Sequence, residues 1–274
     1  MPRCTGPNRF LTGVLMVLMS LTAAGSAAGQ GISLDERLRL LAQAYPSTVA
    51  EIDGKEVVFK SGARLEVDDG QEKSHAEKLV GADIEDMLSQ VYPIGRCYDG
   101  AGPARNVDPG RIRNETFFRQ VYGNSRRAVE KNLVVLPWFK SKLRVTRKQG
   151  VDAALSRVAK DLAELPAKYR RFVETTSGAH NWRTIAGTKR LSVHSFGAAV
   201  DLNIKFADYW RWAGGKPGNV PRYRNKIPQA VVEVFERHGF IWGGKWYHFD
   251  TMHFEFRPEL IAIARLSEAR GCQH

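Results

Sequence analysis

The sequence predicts an α+β fold: a small antiparallel sheet flanked by helices, preceded by a helix-plus-β-meander extension. Three observations predict it. Apolar residues recur at helical spacing in two long stretches, 34–45 and 151–165. Short strand-like runs broken by Asp-Gly and Ser-Gly pairs fill 49–67. From Phe172 onward, short strands and glycine loops take over.

The elements follow in order. Leu34, Leu38, Leu41 and Tyr45 share a helical face, and Pro46 stops the pattern. Val49–Ile52 and Lys55–Phe59 flank Asp53-Gly54 as a tight hairpin, and Arg64–Val67 adds a third strand. Residues 75–91 read as one helix with Leu79, Ile84, Met87, Leu88 and Val91 on its apolar side. Residues 93–113, rich in Pro, Gly, Arg and Asp, read as a loop or linker. A helix follows from Glu115, and Leu133–Leu136 reads as a strand. Val151, Leu155, Val158, Leu162 and Leu165 share one face of a helix that Pro166 closes. The last helix in this reading spans Pro228–His238, with Pro in its first turn and Gly239 past its end.

A length of 274 residues suffices for one elaborated domain or two small ones. With 43% hydrophobic and 26% charged residues, the composition is that of a folded chain and argues against disorder. Arg3 and Arg9, the apolar run Phe10–Ala24 and the small residues Gly25, Ser26, Ala27 and Ala28 follow the order of a secretory signal peptide, with cleavage after Ala28. The other reading, a membrane anchor, meets a run shorter than the roughly twenty residues a span needs. The expected mature protein is exported, periplasmic or extracellular, with no stable membrane insertion.

Cys4 leaves with the signal, so Cys97 and Cys272 remain, either bridged or as two separate thiols. Of 41 Lys and Arg, removal of Arg3 and Arg9 leaves 39 against 29 Asp and Glu, a balance of +10. This suits polyanionic surroundings such as wall polymers. The basic residues are scattered and not interleaved with stacking aromatics, which argues against nucleic acid as the partner.

Two stretches carry chemistry. In Ser192-Val-His194-Ser-Phe-Gly197-Ala-Ala199-Val-Asp201-Leu-Asn203, a glycine loop can fold His194 back beside Asp201 at the start of a strand. In Trp246-Tyr-His248-Phe-Asp250-Thr-Met-His253-Phe-Glu255-Phe256, Phe254 and Phe256 alternate with His253 and Glu255 along another strand. His194, Asp201 and His253 together give two imidazoles and one carboxylate with an open fourth position, the pattern of catalytic zinc. A turn at Asp250-Thr251 would bring the Asp250 carboxylate over the metal.

These residues, with Asn181-Trp-Arg183, Arg190-Leu-Ser192 and the Gly239–Trp246 run, resemble the VanY-type D-alanyl-D-alanine carboxypeptidases, whose relatives include L-alanyl-D-glutamate endopeptidases. The resemblance covers residues 178–260. It implies a hedgehog/DD-peptidase fold in which His194, Asp201 and His253 bind Zn2+ and Asp250 is the catalytic base. Where many members carry Glu, this chain has Asp250, as the endopeptidase branch commonly does. Arg183 would face the substrate, stabilising an oxyanion or binding a carboxylate. Ser192, Trp246 and His248 are the candidate substrate-binding residues. For Trp246 core packing is an equal reading, and His248 either assists catalysis or is a partly buried polar residue. Asn203 or a nearby carbonyl would orient a zinc-bound imidazole, and Glu255 is a supporting acid. His75, His180, His238 and His274 carry no motif.

The expected organisation is a signal peptide at 1–28, an N-terminal α+β region and linker at 29–113, and a zinc peptidase domain at 114–274 with its core motif in 172–260. The expected activity is hydrolysis of peptide bonds in peptidoglycan stem peptides or cross-links, as carboxypeptidase or endopeptidase. Two alternatives are a catalytically silent wall-binding module of the same fold and a basic exported nuclease, for which no motif is evident.

Overall fold

A computed structural model describes residues 31–271 apart from 97 and 99–101. The signal peptide and the Cys97–Cys272 pair therefore lie outside the described residues. The fold is mixed, with small antiparallel sheets among helices, as the sequence predicts. Among the described residues, no helix is long and apolar enough to cross a membrane.

Helix α1 (Leu34–Ala44) starts at Ser33, whose hydroxyl accepts the Glu36 amide while Glu36 reaches back to the cap. Strands β1 (Val49–Asp53), β2 (Glu56–Phe59) and β3 (Arg64–Glu66) form the expected meander. The single helix expected over 75–91 is instead two, α2 (His75–Gly81) and α3 (Ile84–Leu88). The break is chemical. Ala82 is extended, and the Asp83 carboxylate accepts the Asp86 amide at 2.7 Å, which starts a new helix.

Helices α4 (Glu115–Tyr122) and α5 (Arg126–Glu130) follow the irregular stretch. Strand β4 (Leu133–Trp138) extends the expected one and pairs with β5 (Ser141–Thr146), which the sequence reading omits. The hairpin turns at Phe139, whose φ is 46°, so the usual glycine signal is absent. Helices α6 (Val151–Glu164) and α7 (Arg170–Val173) precede the central sheet.

That sheet is β6 (Ala199–Asp201), β8 (His253–Phe256) and β7 (Phe240–Trp242), antiparallel with β8 in the middle. Helix α8 (Gln229–Arg237) packs on β7, and α9 (Pro258–Gly271) follows β8. Phe254 of β8 stacks on Phe235 of α8 with ring centroids 3.9 Å apart. One hydrophobic core runs from Ile32 and Leu38 through Phe117 and Val158 to Phe254 and Leu260, spanning both the 29–113 and the 114–274 regions.

Candidate active site

Ser192 begins a 3-10 turn (Val193–Phe196), its hydroxyl accepting the His194 amide at 3.4 Å. Gly197 ends the turn at φ 68°, a left-handed conformation that a side chain would strain. A Cβ there would also meet Leu133 Cδ2 at 2.7 Å. This compact reversal lets the chain enter β6 with His194 folded back beside Asp201. In the antiparallel register Asp201 lies opposite His253, and Ala199 opposite Glu255. Period-two alternation then puts His253 and Glu255 on one face, with Phe254 on the core side.

Three donor atoms converge. His194 Nε2 is 3.1 Å from Asp201 Oδ1 and 3.2 Å from His253 Nδ1, and His253 Nδ1 is 3.0 Å from Asp201 Oδ1. The far nitrogens fix the tautomers. His194 Nδ1–H donates to the Ala179 carbonyl at 2.5 Å, and His253 Nε2–H donates to Glu255 Oε2 at 3.0 Å. With both imidazoles neutral, two lone pairs and one carboxylate oxygen face each other. A single small cation can satisfy all three with ligand distances of about 2 Å.

The electrostatics agree. Burial opposes ionisation of Asp201, but the two imidazoles overcome it and hold its carboxyl well below the usual range. Burial also opposes a charge on His253, yet hydrogen bonds to Asp201 and Glu255 push it up to about 10. Without a metal, a proton on His253 plays the cation's part. Glu255 is held down to about 2 despite burial, by His253 and the guanidinium of Arg113.

Asp250 precedes β8 in a turn closed by the His253 amide on the Asp250 carbonyl at 3.2 Å. The carboxyl is pushed up to about 6, first by desolvation and then by the charge of Asp201. Its Oδ1 is buried without a hydrogen-bond partner among the described residues. Gly243 sets this turn: its carbonyl accepts the Asp250 amide at 3.0 Å, and a Cβ on it would lie 2.5 Å from the Asp250 carbonyl oxygen.

The remaining expected residues distribute unevenly. Arg183 is exposed and its guanidinium has no hydrogen bond or ion pair among the described residues, while its backbone is tied to Ser192 and Ser195. The Ser192 hydroxyl is occupied by the turn it caps. Trp246 is buried, donates to the Pro109 carbonyl at 2.6 Å, and its ring centroid lies 5.5 Å from that of His253. Of the two orienting groups expected for an imidazole, a carbonyl takes the role at His194. Asn203 instead bonds the Arg171 carbonyl and caps a short turn.

His248 belongs to a second constellation that sequence reasoning misses. Its Nδ1 lies 2.8 Å from Asp108 Oδ2, and His75 Nε2 approaches the same oxygen at 3.0 Å. This is also a His-Asp-His set within reach of one ion. The Gly218 amide, however, donates to His248 Nε2 at 3.1 Å. The proton therefore sits on Nδ1 and points at Asp108, which makes the His248–Asp108 pair a hydrogen-bonded clamp. Asp108 lies in a stretch read as linker, and no spacing connects it to His75 or His248.

The site that the fold assembles has two histidines and one aspartate that can take a metal, beside a further carboxylate. Residues 186–256, which hold His194, Asp201, Asp250 and His253, match the family model described as D-alanyl-D-alanine carboxypeptidase. The VanY-type resemblance read from the motifs holds over that segment. No curated protein and no solved structure matches the chain.

Proposed function

We propose that this chain is an exported zinc peptidase that hydrolyses peptide bonds in peptidoglycan stem peptides or cross-links. One observation carries the metal assignment: two imidazole nitrogens and one carboxylate oxygen converge to within 3.2 Å of one another, while Ala179 and Glu255 take the far nitrogens of both imidazoles. His194, Asp201 and His253 would hold Zn2+. When bound, zinc supplies Lewis-acid polarisation of the scissile carbonyl and acidifies water at the site.

The chain's own groups account for the rest. Asp250 accepts a proton from the attacking water at its buried Oδ1 and returns it to the leaving amine. Arg183, exposed and uncommitted, offers a planar fork to the oxyanion or to a substrate carboxylate. The Asp108–His248–Gly218 clamp holds the 246–250 segment in place. Export rests on the signal-like residues 1–28, and the cell-wall substrate on the family match.

The test is mass spectrometry of purified peptidoglycan digested by the mature protein, with zinc and with a chelator. Zinc-dependent release of D-Ala identifies a carboxypeptidase, and release of longer peptides an endopeptidase. A zinc-loaded protein that yields no new product is a wall-binding module and not an enzyme.

A further inference from the structure

The stretch from Asp108 to Arg113 lies outside the matched segment, yet it is fastened at successive backbone positions. The Pro109 carbonyl accepts from Trp246 Nε1 at 2.6 Å, the Gly110 carbonyl from Arg257 Nη1 at 2.9 Å, and the Arg111 carbonyl from Arg190 Nη2 at 3.1 Å. Arg113 Nη2 reaches the Leu191 carbonyl at 2.8 Å. Each partner belongs to the motif region or borders it. A loop pinned in this way presents its one uncommitted side chain in a fixed place.

That side chain is Arg111. It is only 20% exposed, and its guanidinium lies over the Trp246 ring at 5.4 Å, on the residue whose other neighbour is His253. Among the described residues its Nε is buried without a hydrogen bond, and Nη1 makes only a long contact of 3.5 Å to the His248 carbonyl. The nearest carboxylate among the described residues, Asp108, is 4.0 Å away and already engaged by His75 and His248. The charge of Arg111 reaches Asp250 and Tyr209, where it opposes the upward shift that burial gives each group. A largely buried guanidinium with open donors beside the catalytic carboxyl is costly unless an anion completes it.

We propose that Arg111 is a carboxylate-binding subsite: it receives a free carboxylate of the substrate within one residue of the scissile bond, which presupposes the peptidase activity proposed above. The same chemistry could come from a terminal carboxylate, as in a carboxypeptidase substrate, or from the α-carboxylate of a γ-linked glutamate inside the stem. Bidentate recognition suits Arg and not Lys.

The test uses the zinc-loaded mature protein, as wild type, Arg111→Gln and Arg111→Lys, on three synthetic stem pentapeptides: all carboxylates free, C-terminally amidated, and amidated at the glutamate α-carboxyl. Wild type is expected to cleave the free peptide about 10- to 100-fold better, in kcat/KM, than one of the two amides, which identifies the source of the carboxylate. Arg111→Gln is expected to erase that preference by losing activity on the free peptide alone, at unchanged zinc content. Arg111→Lys is expected to recover only part. A preference that survives in Arg111→Gln, or wild-type cleavage with no preference, overturns the subsite and leaves the peptidase standing. Wild-type protein that cleaves none of the three peptides overturns both.

Discussion

Asp201 and His253 face each other across antiparallel strands β6 and β8, so the backbone register itself brings a carboxylate and an imidazole to 3.0 Å. The third donor, His194, arrives through the turn ended at Gly197. Replacing His253 with Ala is expected to abolish zinc retention and activity together, as read by metal analysis of dialysed protein. Retention of one zinc per chain in that variant would place the metal elsewhere.

Asp250 separates chemistry from binding. Asp250→Asn is expected to keep zinc and to lose about 10²- to 10⁴-fold in kcat, the usual range for general acid–base groups. Full turnover by this variant would remove Asp250 from the role of base.

The same residue sets a pH dependence of stability in metal-free protein. Its folded pKa is raised to about 6, so the neutral form is favoured by folding. That contribution is fully present below the unfolded value of about 3.9 and is lost as pH rises through the folded value. Chelated Asp250→Asn, which stays neutral, is therefore expected to gain on wild type between about pH 4 and pH 8, by about 2–3 kcal/mol. Denaturant melts at the two pH values check this, and a gap that does not widen would contradict it.

Gly243 tests the geometry behind the base. A methyl group there meets the Asp250 carbonyl and the Trp246 ring, at 2.5 and 2.9 Å. Gly243→Ala is expected to move the turn, lowering kcat while zinc content stays at the wild-type level. A simultaneous loss of zinc would mean that the turn and the donors are not separable.

Behind the donors runs a buried polar chain. His253 bonds Glu255, Glu255 bonds Arg257 at 3.1 Å, Arg257 bonds Glu259 at 2.5 Å, and the Tyr45 hydroxyl donates to Glu259 at 2.7 Å. Arg257→Ala leaves two buried carboxylates without their shared cation and is expected to cost about 3–5 kcal/mol. Tyr45→Phe removes one neutral donor and is expected to cost about 1–3 kcal/mol. Calorimetry or chemical denaturation ranks the two, and a larger loss for Tyr45→Phe would mean that the chain is not the main link.

What the sequence made legible was local. Capping residues, the meander and the motif strand were visible because a few neighbouring residues decide them. The donors were visible because the His194–Asp201 and Asp250–His253 spacings are short. The helix break at Asp83 was hidden because an acidic cap looks like any exposed Asp. The β4–β5 hairpin was hidden because Phe139 turns where glycine is expected. Asp108 and Arg111 were hidden for a different reason. They reach the site through contacts to residues far along the chain, such as His248 and Trp246, which no periodicity records.

The Tyr45-to-His253 chain also bears on how such a protein can be cut and recombined. The family match at 186–256 carries all three donors, yet they are braced from behind by a helix-ending residue near the start of the described chain. A crossover point between Tyr45 and Glu259 would pair an acid on one parent with a hydroxyl from another. Shuffled or trimmed versions should therefore inherit residues 45, 255, 257 and 259 as a set, even though Tyr45 is remote from the motif in sequence.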